Sequence, residues 1–554
     1  MDSILNILLI GLVLLIAYWW ANQGLFSSIL HCLCVVLAGA IALAFWEPLV
    51  VGLLLKGGPM DNYSWGLGLA GLFVVSLFVL RLISDRVAPA NVKFPVAVNN
   101  LLGGIVGLWA GIVTMGITTI ACGMIQAPVE VMGFVGWART GNNNGAPAEV
   151  QQMWVPVAQI TEGFYSMLSR GALSPVRATP LADHYPQLAN TALSLHRDSF
   201  FDGDGRVSIA PDAITIGTLT KDDSFRAKDG SVGAYALEFT VGTGAFDGGE
   251  QFILSAAQAR LVSDGKKPEV VFPVQFSQPN AGGERRSYKF DDMSNYASSV
   301  PGEQDATIVL VFPAFSNPAQ NPRFVQIKGT RFKLPPVALG DIAAMMDTTD
   351  GPSGTAPDLT GPDGGFAEDL SRLIQVRNTI APAQLNTNIL PPMEHTTTND
   401  GAHFISKGKA SYKKGQTMSV SRSQRIRGFH HTTGTEIVLV DASRRPGGLD
   451  IYGDGLPAIK ALGRDIPLEL VDSRGKGYRP VGWVLERAGD VELCFEPGKP
   501  VGRLSDLPSQ PSSGEHKIRL VFTIPTGTTI AAIRVGKTVI GNCQVTVNEG
   551  GITD

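Results

Sequence analysis

Four long stretches almost without charge constrain this chain more than any other feature. Residues 4–20, 27–46, 65–83 and 101–125 are apolar runs, and Arg81, at the end of the third, is the one Asp, Glu, Lys or Arg within them. A helix rises 1.5 Å per residue, so roughly 20 apolar residues cross a hydrocarbon core of about 30 Å. Each run is therefore expected to form a transmembrane helix, the first of them near the lower length limit. It ends in Tyr18-Trp19-Trp20, rings that favour the headgroup level. No basic residue precedes it and no A-x-A-like site follows, so a retained helix is expected rather than a cleaved signal peptide. Glu47-Pro48 is expected to break the second helix, leaving 49–55 as an interfacial or re-entrant piece.

The fourth run carries Gly103, Gly107 and Gly111 on one helical face. Glycines four apart let a neighbouring backbone approach closely, where packing drives association. Packing within the bundle is favoured over a homo-oligomer seam, and Gly68 and Gly71 in the third run offer a matching surface. The spans have no ionisable residue at mid-depth of the kind that proton relays and ion pathways use, which argues against a pump. Arg81, Arg86 and Lys93 flank the link between the third and fourth runs, whereas Lys56 stands alone in the link before it. The positive-inside rule then puts that basic loop in the cytoplasm and both termini outside.

The residues at the start, Met1-Asp2 with Asn6-Ile7-Leu8-Leu9, then Gln23-Gly24-Leu25-Phe26-Ser27, and the glycine-spaced fourth run Asn99–Gly111 carry a family likeness. Over residues 1–140 the chain resembles the bacterial colicin V production protein family. It departs at Gln23 and Ala110, where a basic residue is usual. The resemblance implies a four-span inner-membrane module linked to toxin export and envelope physiology, with no defined catalytic residues.

Beyond the membrane region, residues 147–169 read as an amphipathic helix through Met153, Val157, Ile160, Phe164 and Met167/Leu168. It is expected either to lie on the bilayer or to pack on the next domain, and a second helix is expected over 181–195. The acidic stretch 198–206 fails as a calcium loop. With Asp202 first and Asp204 third, Arg206, Val207 and Ala213 fall where a ligand, a glycine and a glutamate are required, which leaves a solvated turn.

From about residue 230 short alternating segments punctuated by Gly, Pro, Asn and Asp predict strands. They are expected at 235–241, 258–262, 269–276, 307–312 and 323–327, and again at 436–441, 468–471, 481–486, 491–495, 517–524 and 530–535. The two groups look like copies. Thr307–Pro313 followed by Phe324–Thr330 parallels Lys517–Phe522 followed by Ile533–Thr538, and Ala259–Lys266 parallels Leu468–Lys476. The second copy resembles small Ig-like sandwich domains. Residues 336–430 read as a linker with a helix near 366–376 and a solvated basic end (Lys407, Lys409, Lys413, Lys414, Arg422, Arg425, Arg427).

Catalytic signatures are missing. A trypsin-like nucleophile needs a Gly-Ser-Gly type turn with a separate His and Asp, and the nearest match, Gly351-Pro352-Ser353-Gly354, has proline at the critical place. His430-His431 reads as a surface pair before a strand. Cys32, Cys34 and Cys122 lie in spans, while Cys494 and Cys543 fall in or beside strands of the last domain, where a disulfide is open. With 45 Lys+Arg against 49 Asp+Glu, charge supplies no case for nucleic acid.

The expected fold class is thus a multi-domain chain, with a four-span α-helical membrane bundle (1–140) followed by two Ig-like β-sandwich domains. Residues 141–225 form a juxtamembrane helical region, 226–335 and 431–550 the two β-domains, and 336–430 the linker. The expected function is a non-enzymatic scaffold in the bacterial inner membrane that uses no cofactor or metal. Its partners are membrane lipid and envelope proteins, and homo-oligomerisation is the alternative role for the glycine face. An export or transport component is the alternative function, and a membrane-anchored hydrolase a remote third.

Overall fold

The computed structural model describes residues 3–58, 60–88, 92, 94–126, 131–139, 147–175, 179–194, 205–247, 251–279, 285–290, 295–300, 304–346, 368–380, 393–397, 403–413, 426–443, 449–451, 465–497, 499–509 and 516–548. The apolar runs become helices α1 (Ser3–Gln23), α2 (Leu25–Leu49), α3 (Asp61–Val87) and α4 (Val96–Gly123). Among the described residues these four are long and apolar enough to cross a membrane. Pro48 does not end α2. The helix runs on through a π-helical stretch, Val50–Leu54, with Leu55 N–H donating to Val50 C=O at 2.9 Å. The proline forfeits only the bond to the carbonyl one turn earlier, and Val50 N–H bonds Trp46 C=O again, so 50–54 extends the helix instead of forming a separate piece.

Gly103, Gly107 and Gly111 all face the first hairpin of the bundle. A Cβ on Gly107 would meet Ala17 C=O and Trp20 Cβ at 3.1 Å, one on Gly111 would meet Val13 C=O at 3.0 Å, and one on Gly103 would meet Leu25 N at 3.4 Å. The ladder therefore packs α4 on α1 within the chain. Gly68 and Gly71 are not its counterpart. Gly68 lies against Val50, and Gly71 has nothing within 4 Å. Close approach continues along α4, where Gly116 abuts Val157 and Thr161 and Gly123 abuts Ala192.

Three further helices pack on the bundle: α5 (Val157–Arg170), α6 (Leu181–His184) and α7 (Leu188–Ser194). Helix α5 starts later than the periodicity suggests, Pro147–Glu149 being a short strand paired with Trp137–Arg139. The second expected helix is split at Tyr185–Gln187. Neither expected placement of α5 holds. It is inserted among the spans, with the Tyr165 hydroxyl donating to Val36 C=O at 3.1 Å and its ring against Gly39, and with Thr161 donating to Ile112 C=O at 3.4 Å. Its buried face is Val157, Ala158, Thr161, Tyr165 and Ser169, while Met167 is 63% exposed. Small and hydroxylated side chains thus face protein and a large apolar one faces outward, the arrangement that packing in a lipid environment favours.

The chain forms two units, the first comprising Met1–Leu237, Leu254–Val274 and Val311–Leu339, the second Glu238–Ile253, Gln275–Leu310 and Gly340–Asp554. The stretch 226–335 is therefore shared between them. In the first unit a four-stranded sheet has the order Thr330–Lys333, Pro322–Ile327, Ala259–Ser263, Val270–Val271. In the second unit a sheet has the order Thr538–Thr546, Thr529–Val535, Leu468–Asp472, Gly477–Tyr478. All neighbours are antiparallel in both sheets, and the register is equivalent. Ile327 pairs with Ala259 and Thr330 as Val535 pairs with Leu468 and Thr538. The hairpin Gln275–Pro279/Arg285–Lys289 likewise matches Gly482–Glu486/Asp490–Phe495, and the nine-residue strands Asp305–Pro313 and Lys517–Pro525 both end in proline. The copies seen in sequence are thus copies in topology. Their tight turns differ in chemistry. Lys328 and Gly329 both have positive φ (42° and 76°), the two-residue turn that suits strand twist, whereas the second copy uses Gly536 at 61°.

In the second unit an eight-stranded sheet faces the four-stranded one across a shared core that includes Val440, Leu470, Trp483, Phe522 and Ile533. Its other face holds a second core around Ile405, Phe429, Leu439 and Phe495. The segment read as a linker contributes to this sheet: Ile374–Val376 pairs with Thr435–Asp441, and His403–Lys413 pairs with Asp490–Phe495. Ile374 and Val376 are buried and alternate with exposed Gln375, a period of two that marks a strand, so the helix expected near 366–376 is reduced to a single 3₁₀ turn, Ser371–Leu373.

Candidate functional site

The cluster with the most developed chemistry lies within the first unit, where one end of the bundle meets the hairpin Pro322–Lys333. The same bundle end receives Trp154 N–H on Asn6 Oδ1 (2.9 Å) and Val207 N–H on Asn62 Oδ1 (3.2 Å). The start of α1, the end of α2, the start of α3 and the end of α4 are thus all covered by chain that follows the fourth helix. Arg206 lies 3.8 Å from Asp61, so residues 206–207 are pinned to the bundle instead of forming a solvated turn. Asp202 and Asp204 lie outside the described residues.

Glu47 sits near the end of α2, and its Oε2 accepts three hydrogen bonds: from Tyr185 Oη at 2.6 Å, Arg331 Nη2 at 2.6 Å and His184 Nε2 at 2.9 Å. Arg331 Nη1 lies 2.7 Å from His184 Nδ1. A guanidinium only donates, so Nδ1 must accept and the imidazole proton resides on Nε2, directed at Glu47. The Arg331 guanidinium also lies over the Tyr185 and Phe324 rings at 4.9 and 4.7 Å. Burial, followed by the Glu47 carboxylate, holds the Tyr185 phenol well above its ordinary pKa, so it is a hydrogen-bond donor throughout the physiological range.

A second layer supports the first. Arg260 is buried, its Nε donating to Gln326 Oε1 at 2.7 Å and its Nη1 to Pro186 C=O at 3.0 Å. Burial pushes it down to about 9, with Arg331 adding to the lowering and Glu162 opposing it, which leaves it charged at neutral pH. The Glu162 carboxylate accepts the N–H groups of Leu188 and Ala189 at 3.1 and 3.0 Å, satisfying free donors at the start of α7. Burial raises its pKa despite those hydrogen bonds. The space beside Glu47 and Arg260 is about 10 Å³, at the lower limit for one water. The arrangement is a closed lock of paired charges, with its donors and acceptors directed at one another.

The second four-stranded sheet offers a comparison at the equivalent position. Arg260 and Gln326 are direct cross-strand partners, and the equivalent pair in the second copy is Glu469 and Arg534, joined at 2.6 Å. One topological position thus carries an ordinary ion pair in the second copy, and in the first a buried arginine turned toward the helices.

The other residues singled out in the sequence lie elsewhere. Cys494 and Cys543 are free thiols, on the eight-stranded and the four-stranded sheet of the second unit respectively, at the margin of the shared core. The disulfide left open by the sequence is not formed. Burial raises both, Cys543 to about 12. His430 is not a surface residue. It is 4% exposed and follows the strand Ile426–Phe429, with its N–H on Ile405 C=O at 2.7 Å. Of the basic run, Lys409 lies 5.2 Å over the Trp483 ring, while Lys414, Arg422 and Arg425 are outside the described residues, as is Gly351–Gly354. Among the described residues no three His, Cys, Asp or Glu side chains gather as metal ligands.

Sequence reading missed the lock entirely. Its one local signal is Glu47, the single charged residue between Leu25 and Leu54; an ionisable group in such a run marks a partner elsewhere. No protein-family model matches the chain, and no curated protein or solved structure matches it.

Proposed function

We propose that this chain is a non-enzymatic scaffold of the bacterial inner membrane, related through its first 140 residues to the colicin V production proteins. It would present Ig-like β-domains outside the cytoplasm to envelope partners. The observation that carries the reading is the lock at Glu47. Arg331, on a strand of the first duplicated sheet, is bonded to a membrane helix, so the bundle is a rigid mount for β-structure rather than a flexible tether. The second copy of that sheet is the natural recognition module.

Crosslinking and mass spectrometry on the full chain in native membranes tests this. The expected result is a reproducible set of crosslinks from lysines such as Lys499, Lys517 and Lys537 to one envelope protein, present with or without any exported substrate. Crosslinks that form only during export, together with loss of substrate flux in Gly107→Leu at unchanged abundance, would favour a transport component instead. An alkaline phosphatase fused after Asp554 should be active, and an inactive fusion would reverse the orientation.

A further inference from the structure

We propose that the cleft between α2, α5 and α6 holds one acyl chain of an anionic phospholipid, with its phosphate at Thr179 and Arg323. The cleft measures about 260 Å³ and is walled by Ala40, Leu43 and Ala44 of α2 and by Leu168, Leu173 and Leu181. Its depth follows from the helix geometry. Ala40 is seven residues before Glu47, which at 1.5 Å per residue places the floor about 10 Å below the lock. Tyr165, bonded to Val36, closes that floor. Leu173 of the lining is 42% exposed, and Phe45 and Met167, next in the chain to the lining residues Ala44 and Leu168, are 61% and 63% exposed. An apolar slot at this depth, opening on an apolar surface, is in contact with acyl chains and not with water.

The upper end is polar and cationic. Thr179 and His184 line it. Arg323 Nη2 donates to Thr179 Oγ1 at 2.6 Å and its Nη1 to Asp183 C=O at 3.2 Å, both neutral acceptors. Arg331 is balanced by Glu47, and Arg170 by Asp183 at 2.6 Å. Three guanidiniums therefore face two carboxylates, and Arg323 has no carboxylate partner among the described residues. A planar fork with spare donors, beside a hydroxyl, matches a phosphodiester. Exposed Lys266, whose C=O accepts from Arg170 at 2.7 Å, adds to the attraction of an anionic headgroup. The charge excess selects an anionic lipid such as phosphatidylglycerol over zwitterionic phosphatidylcholine.

The inference goes beyond the scaffold reading and does not rest on it. The test is native mass spectrometry of the full-length protein, delipidated in neutral detergent and titrated with phosphatidylglycerol or phosphatidylcholine. Wild type is expected to retain one phosphatidylglycerol at least tenfold more strongly than phosphatidylcholine. Ala44→Phe, at an exposed position on the cleft mouth, should reduce retention at least tenfold. Arg323→Gln should keep the hydrogen bond to Thr179 and remove the preference between the two lipids. Equal retention of both lipids by wild type would overturn the headgroup assignment, and unchanged retention in Ala44→Phe would overturn the cleft. If Ala44→Phe lowers the melting midpoint, Leu173→Trp blocks the same mouth from an exposed side chain and is read in its place.

Discussion

Replacing Arg331 by methionine removes the centre of the lock, including the guanidinium over the Tyr185 and Phe324 rings, and leaves an unbranched apolar side chain in its place. Breaking one side of a fully buried ion pair costs about 3–5 kcal/mol, because the remaining charge stays desolvated. Here the side chains of Arg331 and Glu47 keep 15% and 20% exposure, and Glu47 retains its bonds to Tyr185 and His184. That residual solvation lowers the expectation to about 2–3 kcal/mol. At about 2–4 °C per kcal/mol for a unit of this size, the melting midpoint should fall by roughly 5–10 °C. Trp46 and Trp65 border the lock, and Trp46 lies 5.2 Å from the Tyr185 ring, so tryptophan fluorescence during heating of the full chain in micelles reads the event. The decisive measurement is the double-mutant cycle with Glu47→Leu. Once both charges are gone no unpaired charge remains, although Tyr185 Oη and His184 Nε2 lose their acceptor in either Glu47 variant, so Arg331→Met/Glu47→Leu should be less damaging than the sum of the singles by about 1.5–2 kcal/mol. Additive effects, or a single-variant shift below about 2 °C, would refute the claim that this pair joins the helices to the sheet.

Three further outcomes follow from the geometry. Gly111→Leu forces a side chain against Val13 C=O and should destabilise the bundle by about 1–3 kcal/mol, whereas Gly71→Ala, with open space around it, should be nearly silent; equal thermal shifts for the two would remove the packing role of the ladder. Because burial raises the folded-state pKa of Glu162 above its ordinary 4.5, the native state holds that proton more tightly than the unfolded chain. Its contribution to stability therefore rises as pH falls from neutral toward 4.5 and is smallest above the folded pKa. Glu162→Gln should flatten that part of the pH dependence of the melting midpoint, and an unchanged slope would contradict the assignment. Cys494 and Cys543 should both react with maleimide after denaturation without reductant and resist it in the folded protein; failure to label them without reductant would indicate a disulfide.

What was legible in the sequence is what depends on local pattern. Four helices follow from apolar length alone, since bilayer thickness sets a residue count that no soluble packing problem imposes. The strands follow from a period of two, and the duplication from two strand sets in the same order, because register and hairpin connection travel with the strands that form them. Even the linker reading failed for a local reason: Ile374–Val376 and His403–Lys413 are short or rich in Lys and Gly, and only pairing with remote strands makes them part of a sheet.

The tertiary structure decided which faces meet. Helix α5 has enough apolar side chains to be recognised as amphipathic, yet the side turned inward is the one with Ala158, Thr161 and Tyr165, because the spans offer Gly39 and Gly116 as recesses. The lock joins residues as far apart as Glu47 and Arg331, 284 positions in the chain. No period or spacing encodes such a pair: the attraction acts only after the first sheet has folded and brought its arginines to the end of α2. Residues 1–126 by themselves determine that there are four helices long and apolar enough to cross a membrane. Their conversion into a mount for the β-structure belongs to the folded chain, since burying a charge is tolerable only where the fold supplies its partner.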